Sequence, residues 1–257
     1  WVFVHAGGTL VERELAAGAS FEEVAYLLLY GELPSQVQLD DYKRTLRSLR
    51  DLPQALKEVL ERIPRDAHPM DVMRTACSVL GTLEPELTFD AQHDRTDRLL
   101  AVFPAVMCYW YRFSHHGVRI ECSSEEDTLG GHFLYLLHGR KPSELHVKVM
   151  NVSLVLYAEH EFNASTFTAR VTAGTGSDMY STIAGAIGAL RGPKHGGANE
   201  VADEIQKRYA TPDEAEADIR RRVDAKEVVI GFGHPVYTVS DPRNVVISAW
   251  RRHWPTR

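Results

Sequence analysis

Three histidines stand in sequence contexts that favour chemistry over simple packing. His160 follows an apolar run in LYAEHEFNAST, His195 lies in RGPKHGGAN, and His234 lies in GFGHPVYTVSDPR. Glycine beside a histidine lets a ligand approach the backbone, because no Cβ stands in the way, and it leaves backbone N–H groups for an anion. A single histidine can equally be a solvated or a packed side chain. Because function concentrates in loops held by a rigid scaffold, the glycine-flanked pair favours a functional interpretation.

Metal binding is the main alternative use of these histidines. The three are separated by 35 and 39 residues and show no HxxxH or HExxH spacing. Since zinc ligands usually cluster in such short spacings, we expect no metal site. Another histidine, His132, falls in the helical segment GGHFLYLLHG, where packing or capping explains it.

Arg243 is the other side chain with suitable chemistry, in the segment SDPRN after His234. Its planar guanidinium can bind a carboxylate through two parallel hydrogen bonds, which a lysine cannot do. The alternative is an ion pair with the neighbouring Asp241. The sequence leaves both possibilities open.

Helix start and stop signals dominate the segments that must position these residues. In SFEEVAYLLLYGELP, Ser20 and Glu23 have the spacing of a capping box, and Gly31 can close the helix. In TPDEAEADIRRRV, Thr211 is the predicted cap and Glu214 completes a second box. Further helices are predicted in VQLDDYKRTLRSLRDLP, QALKEVLERIP and HPMDVMRTACSVLGTL, whose apolar residues recur at helical spacing.

The rest of the chain follows the same helical pattern. Residues 85–96 are predicted to form a loop and residues 97–113 a long helix. The segments ELHVKVMNVSLVLYAEHEFNAST and SDMYSTIAGAIGALRG are also predicted helices, and small residues in the second allow close helix packing. KEVVIGFGHPVYTV is the best strand candidate, although glycines and a proline interrupt it. The sequence therefore predicts an almost all-α protein with one boundary near Lys194.

Composition sets limits on partners and compartment. The 257 residues carry a net charge of −6, so no basic surface predicts nucleic-acid binding. No apolar run approaches the roughly 20 residues of a membrane span. The three cysteines lack CxxC spacing, which argues against a disulfide framework and favours a reducing cytoplasm. The first residues lack the basic start of a secretory signal, in keeping with that compartment.

The motifs together resemble the citrate synthase family. RGPKHGGAN and GFGHPVYTVSDPR resemble its two active-site histidine motifs in order and separation, and AEHEFNAST resembles its substrate-histidine segment. FEEVAYLLLYGELP and HPMDVMRT resemble its N-terminal helices, so the likeness runs from about Glu12 to Ile247. Within the family, GPKHGGANEV, LYAEHEFNASTFTARV and GTGSDMYS are most similar to the 2-methylcitrate synthases, while bacterial citrate synthases share much of the pattern.

The resemblance implies an all-α, citrate-synthase-like fold, with a large helical domain at 1–194 and an incomplete small helical domain at 195–257. It implies a homodimeric acyltransferase of propionate catabolism that condenses propionyl-CoA with oxaloacetate and water to 2-methylcitrate and CoA. No cofactor is implied, since acyl-CoA is a substrate, and neither nucleic acid nor membrane is a partner. The alternatives are a citrate synthase that uses acetyl-CoA, or an inactive fragment with a dimerisation or structural role.

Site residues follow from the same resemblance. His195 would stabilise the enol of the acyl-CoA, and His234 would polarise and then protonate the oxaloacetate carbonyl. His160, Asn163 and Arg243 would hold oxaloacetate. The CoA adenine would contact a loop formed by Val228, Val229, Ile230, Gly231, Phe232 and Gly233.

One part of the family pattern is not found in these residues. The family's general base is an aspartate in a segment that begins Asn-x-Asp, well downstream of GHPVY. The sequence continues for 23 residues after His234 and contains no such segment, and Asp241 is too close to serve. Loss of a general base typically lowers a rate by about 10²–10⁴-fold, so we expect little activity from these 257 residues alone. We also expect apolar side chains around Val245 to Trp250 to be exposed.

Overall fold

The computed structural model describes residues 15–159, 162–231, 241 and 243–251, and all regular secondary structure within them is helical. The helices are α1 Ala16–Gly18, α2 Phe21–Tyr30, α3 Gln36–Ser48, α4 Gln54–Arg62, α5 Pro69–Leu83, α6 Gln92–His116, α7 Leu129–His138, α8 Glu144–Tyr157, α9 Ala164–Gly174, α10 Met179–Leu190, α11 Ala198–Gln206, α12 Pro212–Asp224 and α13 Arg243–Arg251. A short 3₁₀ turn, Phe89–Ala91, precedes α6. The all-α prediction is confirmed. The candidate strand segment forms no strand up to residue 231, and its residues 232–239 lie outside the described part.

The predicted capping box is confirmed at α2, and at α12 one of its two hydrogen bonds is confirmed. Ser20 Oγ accepts the Glu23 N–H at 3.2 Å, and the Glu23 carboxylate accepts the Ser20 N–H at 2.6 Å. At α12, Thr211 Oγ1 accepts the Glu214 N–H at 3.3 Å as predicted. The Glu214 carboxylate, however, accepts from Ala210 N–H at 3.0 Å and not from the cap residue. The second box is therefore displaced by one residue.

The predicted loop at 85–96 is too long. Helix α6 already begins at Gln92 and continues to His116, three residues beyond the predicted end at Phe113. Its first turn is polar and therefore carries no apolar periodicity, which is why the pattern missed it. Gly117, with φ +68°, ends the helix in the left-handed conformation that a glycine adopts without strain.

The largest core lies where α4, α5, α6, α7 and α10 meet. Leu56, Val72 and Val106 are fully buried there, together with side chains from the other helices. On α5 the predicted apolar face is confirmed for Cys77 and Leu80, which are fully buried, while its methionines pack at the edge of the core. All three cysteines, Cys77, Cys108 and Cys122, are buried free thiols, and burial raises the pKa of each to about 12.

The last described helix packs onto the interior. Val246, Ile247 and Trp250 of α13 lie against a second buried cluster formed by α1, α2 and α8. The expectation of an exposed apolar segment here is wrong for these three residues, because α8 supplies an apolar surface that covers them. It is confirmed for Val245, which is 74% exposed.

A buried polar network fixes the segment between α6 and α7. Arg50 donates from Nη1 to the Ser124 carbonyl at 2.9 Å, and the Ser124 hydroxyl lies 2.8 Å from His132 Nδ1. Glu22 Oε1 accepts the Leu129 N–H at 2.6 Å. Burial raises the pKa of Glu22 and, helped by the Arg50 charge, lowers the pKa of His132 to about 3. His132 is therefore a neutral packed side chain, as predicted.

Within the described part of the chain, every helix is too short or too polar to cross a membrane.

Candidate active site

His195 lies in a compact turn between α10 and α11. Its N–H donates to the Gly192 carbonyl at 3.0 Å, and the Gly197 N–H donates to the same oxygen at 3.2 Å. The His195 carbonyl in turn accepts the Ala198 N–H at 3.0 Å, so α11 begins directly on this turn. Backbone hydrogen bonds thus hold the turn together from Gly192 to the start of α11.

Close packing explains the two glycines that follow His195. A Cβ at Gly196 would lie 2.4 Å from Leu190 Cδ1 and 2.6 Å from the Leu190 carbonyl oxygen. At Gly197 it would lie 3.0 Å from the Gly192 carbonyl oxygen. Their place beside a histidine predicted that they allow a ligand to approach the backbone. In the structure, the space beside them is filled by the chain itself.

A serine holds the His195 imidazole. Helix α9 starts after its cap Asn163, whose Oδ1 accepts the Thr166 N–H at 3.0 Å. One residue into this helix, Ser165 places its hydroxyl 2.8 Å from His195 Nε2. The start of α9 therefore brings Ser165 to His195, across 30 residues of sequence. Sequence reasoning missed Ser165, and the only available signal was its place in the AST segment beside the predicted cap.

The predicted CoA loop is described only in its first four residues. Val228 is 78% exposed and Val229 is 5% exposed. At Gly231, φ is +99°, and a Cβ there would lie 3.2 Å from the Ala202 Cβ of α11. This segment therefore packs beside the helix that starts at the His195 turn. Phe232, Gly233 and His234 lie outside the described residues, and so does His160.

Arg243 is engaged by an acidic neighbour. Its Nε lies 3.0 Å from Asp241 Oδ1 and its Nη2 lies 2.7 Å from Asp241 Oδ2, which is a bidentate pair. Of the two alternatives left open by the sequence, the ion pair is thus present. Binding of a substrate carboxylate by Arg243 stays a prediction, and it would require the guanidinium to share or leave Asp241.

Metal ligation finds no support in the described residues, where no three His, Cys, Asp or Glu side chains converge on a common point.

Comparison with known proteins identifies the family. Residues 9–256 match the family model "Citrate synthase, C-terminal domain". A 2-methylcitrate synthase from Shewanella oneidensis is 61% identical over 93% of this chain, and 2-methylcitrate synthase 2 from Corynebacterium glutamicum is 44% identical over 90%. The fold is similar to that of a citrate synthase from Thermoplasma acidophilum, solved with carboxymethyl coenzyme A and oxaloacetate, with a TM-score of 0.85 and 32% identity over 92% of this chain and 62% of that one. The chain belongs to the citrate synthase family.

The chain spans 64% of the Shewanella relative and 62% of the Corynebacterium relative. It therefore represents slightly less than two thirds of each of these proteins.

Proposed function

We propose that this chain is part of a 2-methylcitrate synthase, which condenses propionyl-CoA with oxaloacetate and water to give 2-methylcitrate and CoA. The observation that carries this proposal is the 61% identity with the Shewanella relative of that name. Acetyl-CoA, which would give citrate, is the alternative acyl donor. One methylene changes binding in a pocket by only about 1–3 kcal/mol, so activity with both is expected, with propionyl-CoA preferred.

His195 would serve as the donor to the thioester oxygen. Condensation requires a base to take a proton from the carbon next to the thioester, while a donor stabilises the charge that develops on oxygen. If the Ser165 hydroxyl donates to His195 Nε2, the neutral ring carries its proton on Nδ1, and that N–H becomes the donor. The enol carbon then attacks the oxaloacetate ketone, whose oxygen takes a proton from His234. Water finally hydrolyses the thioester and releases CoA.

The remaining site residues would bind the two substrates. Oxaloacetate is a dianion, which suits imidazole and guanidinium donors, and we assign it to His160, Asn163 and Arg243. The CoA adenine is assigned to the loop at 228–233, since the part of it that is described packs against α11 beside the His195 turn. We assign no residue of this chain as the general base, because the sequence contains no segment of the Asn-x-Asp type.

We propose that 1–194 and 195–257 belong to a large and a small domain, respectively. This boundary falls inside the turn between α10 and α11, and the turn carries His195 itself. Movement of α11 relative to α10 would therefore act directly on the imidazole. Closure of such domains excludes water, which strengthens every electrostatic contact with the substrates.

A homodimer is supported by the unusual exposure of α9. No residue of this helix is buried. Two of its large apolar side chains are exposed on one side, Phe167 by 63% and Val171, one turn later, by 56%. The opposite side of α9 packs on α10, where a Cβ at Gly185 would lie 3.4 Å from Thr172 Oγ1. Helix α9 thus presents an apolar stripe outward, and exposed stripes of this kind mark protein interfaces. We propose that a second copy of the chain covers it.

The dimer proposal is tested by sedimentation of Phe167→Asp beside Val37→Asp. Val37 is an apolar residue on α3 that is 71% exposed, so its substitution controls for the added charge. The Phe167→Asp variant should sediment as a monomer at concentrations where the wild type and the Val37 variant are dimeric. Equal sedimentation of all three would contradict the proposal.

The enzymatic proposal is tested by release of free thiol from propionyl-CoA and acetyl-CoA, with and without oxaloacetate. The 257-residue chain should show little turnover. Grafting the C-terminal segment of the Shewanella relative after residue 247 should restore release that depends on oxaloacetate and is faster with propionyl-CoA. His195→Ala in the graft should lower the rate by about 10²–10³-fold, because an oxyanion donor is lost.

His138→Ala provides the matched control, since His138 is exposed at the end of α7. Faster release with acetyl-CoA would favour citrate synthase over the proposed activity. A folded graft that releases no thiol from either substrate would reject both.

The three buried free thiols support a reducing compartment, and we propose that the protein is cytoplasmic.

A further inference from the structure

The first turn of α5 contacts the chain on both sides of His195. Before the turn, Arg191 Nε lies 3.5 Å from Asp71 Oδ2. After it, His68 Nε2 lies 2.5 Å from Glu200 Oε1, in the first turn of α11. These contacts join positions more than 100 residues apart in sequence, so they exist only because the fold places the start of α5 against the turn. The contact to Glu200 is the shorter of the two.

The hydrogen-bond pattern defines which nitrogen of His68 carries the proton. His68 caps α5, and its Nδ1 accepts the Met70 N–H at 3.1 Å. A nitrogen that accepts a hydrogen bond carries no proton, so in the neutral ring the proton is on Nε2. His68 therefore donates to Glu200 without needing a positive charge. Its side chain is 17% exposed and that of Glu200 is 49% exposed, so the bond is partly shielded from water.

Glu200 is well placed to transmit this contact to His195. Helix α11 has glycine at its cap position, and no side chain caps its first turn. Its start is held by the Ala198 N–H, which donates to the His195 carbonyl. Because α11 is a rigid helix from Ala198 onward, a shift of Glu200 moves Ala198 and with it the His195 backbone.

We propose that His68 is a positioning residue for His195. Its Nε2–H bond to Glu200 holds the start of α11 against α5, and so fixes the turn that presents the imidazole to Ser165. This inference rests on the proposed function for the chemical role of His195. The contacts that position the His195 turn do not depend on that function. A merely structural role, in which the pair only adds stability, is the competing explanation.

Substitutions can separate the contact from the helix cap. His68→Asn keeps a good N-cap side chain, but its amide is too short to reach Glu200. Glu200→Ala removes the acceptor, whereas Glu200→Gln keeps an oxygen at the same position. His138→Asn, on exposed surface at the end of α7, controls for loss of an imidazole.

Two measurements on the 257-residue chain report on the turn without any turnover. The first is amide hydrogen exchange at His195, Gly197 and Ala198. The second is the ¹⁵N spectrum of the imidazole rings, in which His195 is assigned by its loss in His195→Ala. An inactive chain leaves both readouts intact, so failure of the proposed enzyme activity and failure of this inference are distinguishable.

We expect His68→Asn and Glu200→Ala each to accelerate exchange at these amides about 2–10-fold, the net effect of one hydrogen bond. The double variant should exchange no faster than the single ones, because both remove the same contact. The His195 ring signals should shift in these variants, while Glu200→Gln and His138→Asn stay close to wild type. Unchanged His195 signals and amide exchange in His68→Asn, even with a lowered melting temperature, would overturn the proposal.

Discussion

Acidification should destabilise this protein through His132, and the effect can be isolated by one substitution. His132 is fully buried on α7, with Ser124 Oγ at Nδ1 and no partner for Nε2 among the described residues. Burial lowers its pKa from 6.5 to about 3. As the pH falls below 6.5, His132 binds a proton in the unfolded chain but stays neutral in the folded protein. The free energy of unfolding therefore decreases in this range.

The size of the effect follows from the two pKa values. At pH 7 proton uptake stabilises the unfolded chain by only about 0.2 kcal/mol, whereas at pH 5 it does so by about 2 kcal/mol. The folded state takes up almost no proton at either pH. His132 should thus remove about 2 kcal/mol from the free energy of unfolding between pH 7 and pH 5, a large part of the stability of an ordinary domain.

The assay is urea unfolding of the wild type and His132→Asn at pH 5, 6 and 7. The asparagine places a polar atom near the Nδ1 position, facing Ser124, but does not titrate. The variant should be less stable than the wild type at pH 7, and the gap should narrow by about 2 kcal/mol at pH 5. Buried carboxyl groups such as Glu22 contribute equally to both proteins and cancel. His138→Asn controls for removal of an imidazole from the same helix. A gap that stays constant from pH 7 to pH 5 would refute the reasoning.

Three further predictions concern single positions. Gly196→Ala should destabilise the protein by about 1–3 kcal/mol in urea unfolding, because its Cβ would lie 2.6 Å from the Leu190 carbonyl oxygen, whereas Gly188→Ala, with nothing within 4 Å, should be neutral or stabilising. Burial raises the pKa of Glu22, so the wild type loses stability as the pH rises above 4.5. Glutamine does not titrate, so the free energy of unfolding of Glu22→Gln should increase relative to that of the wild type between pH 5 and pH 8 in the same assay. Asn163→Ala should lower stability by about 1 kcal/mol through loss of the α9 cap, and Asn163→Ser should recover most of it. An unchanged melting temperature in Asn163→Ala would contradict a stabilising hydrogen bond from the Thr166 N–H to Asn163 Oδ1.

Local signals in the sequence were sufficient for most of the fold. The box of Ser20 and Glu23 depends on residues three apart, so the sequence alone predicts it. The helical class follows similarly from apolar periodicity, as on α5, where Cys77 and Leu80 are buried as expected. The errors occur where periodicity is absent, as in the polar first turn of α6. The family was also predicted from motifs, because the residues around His160, His195 and His234 are distinctive in type and order.

Tertiary structure decided which side chains act on one another. Ser165 reaches His195 only because the start of α9 lies beside the turn after α10, and the spacing of 30 residues does not predict that contact. His68 and Glu200 are 132 residues apart, and each alone looks like an ordinary helix-end residue. The sequence around Arg243 left both a substrate carboxylate and Asp241 open as its partner, and the folded structure places Asp241 against the guanidinium. Hydrogen bonds depend on atoms within about 3 Å, whereas helix propensity and periodicity act along the chain, so the sequence determines the elements and packing determines the contacts between them.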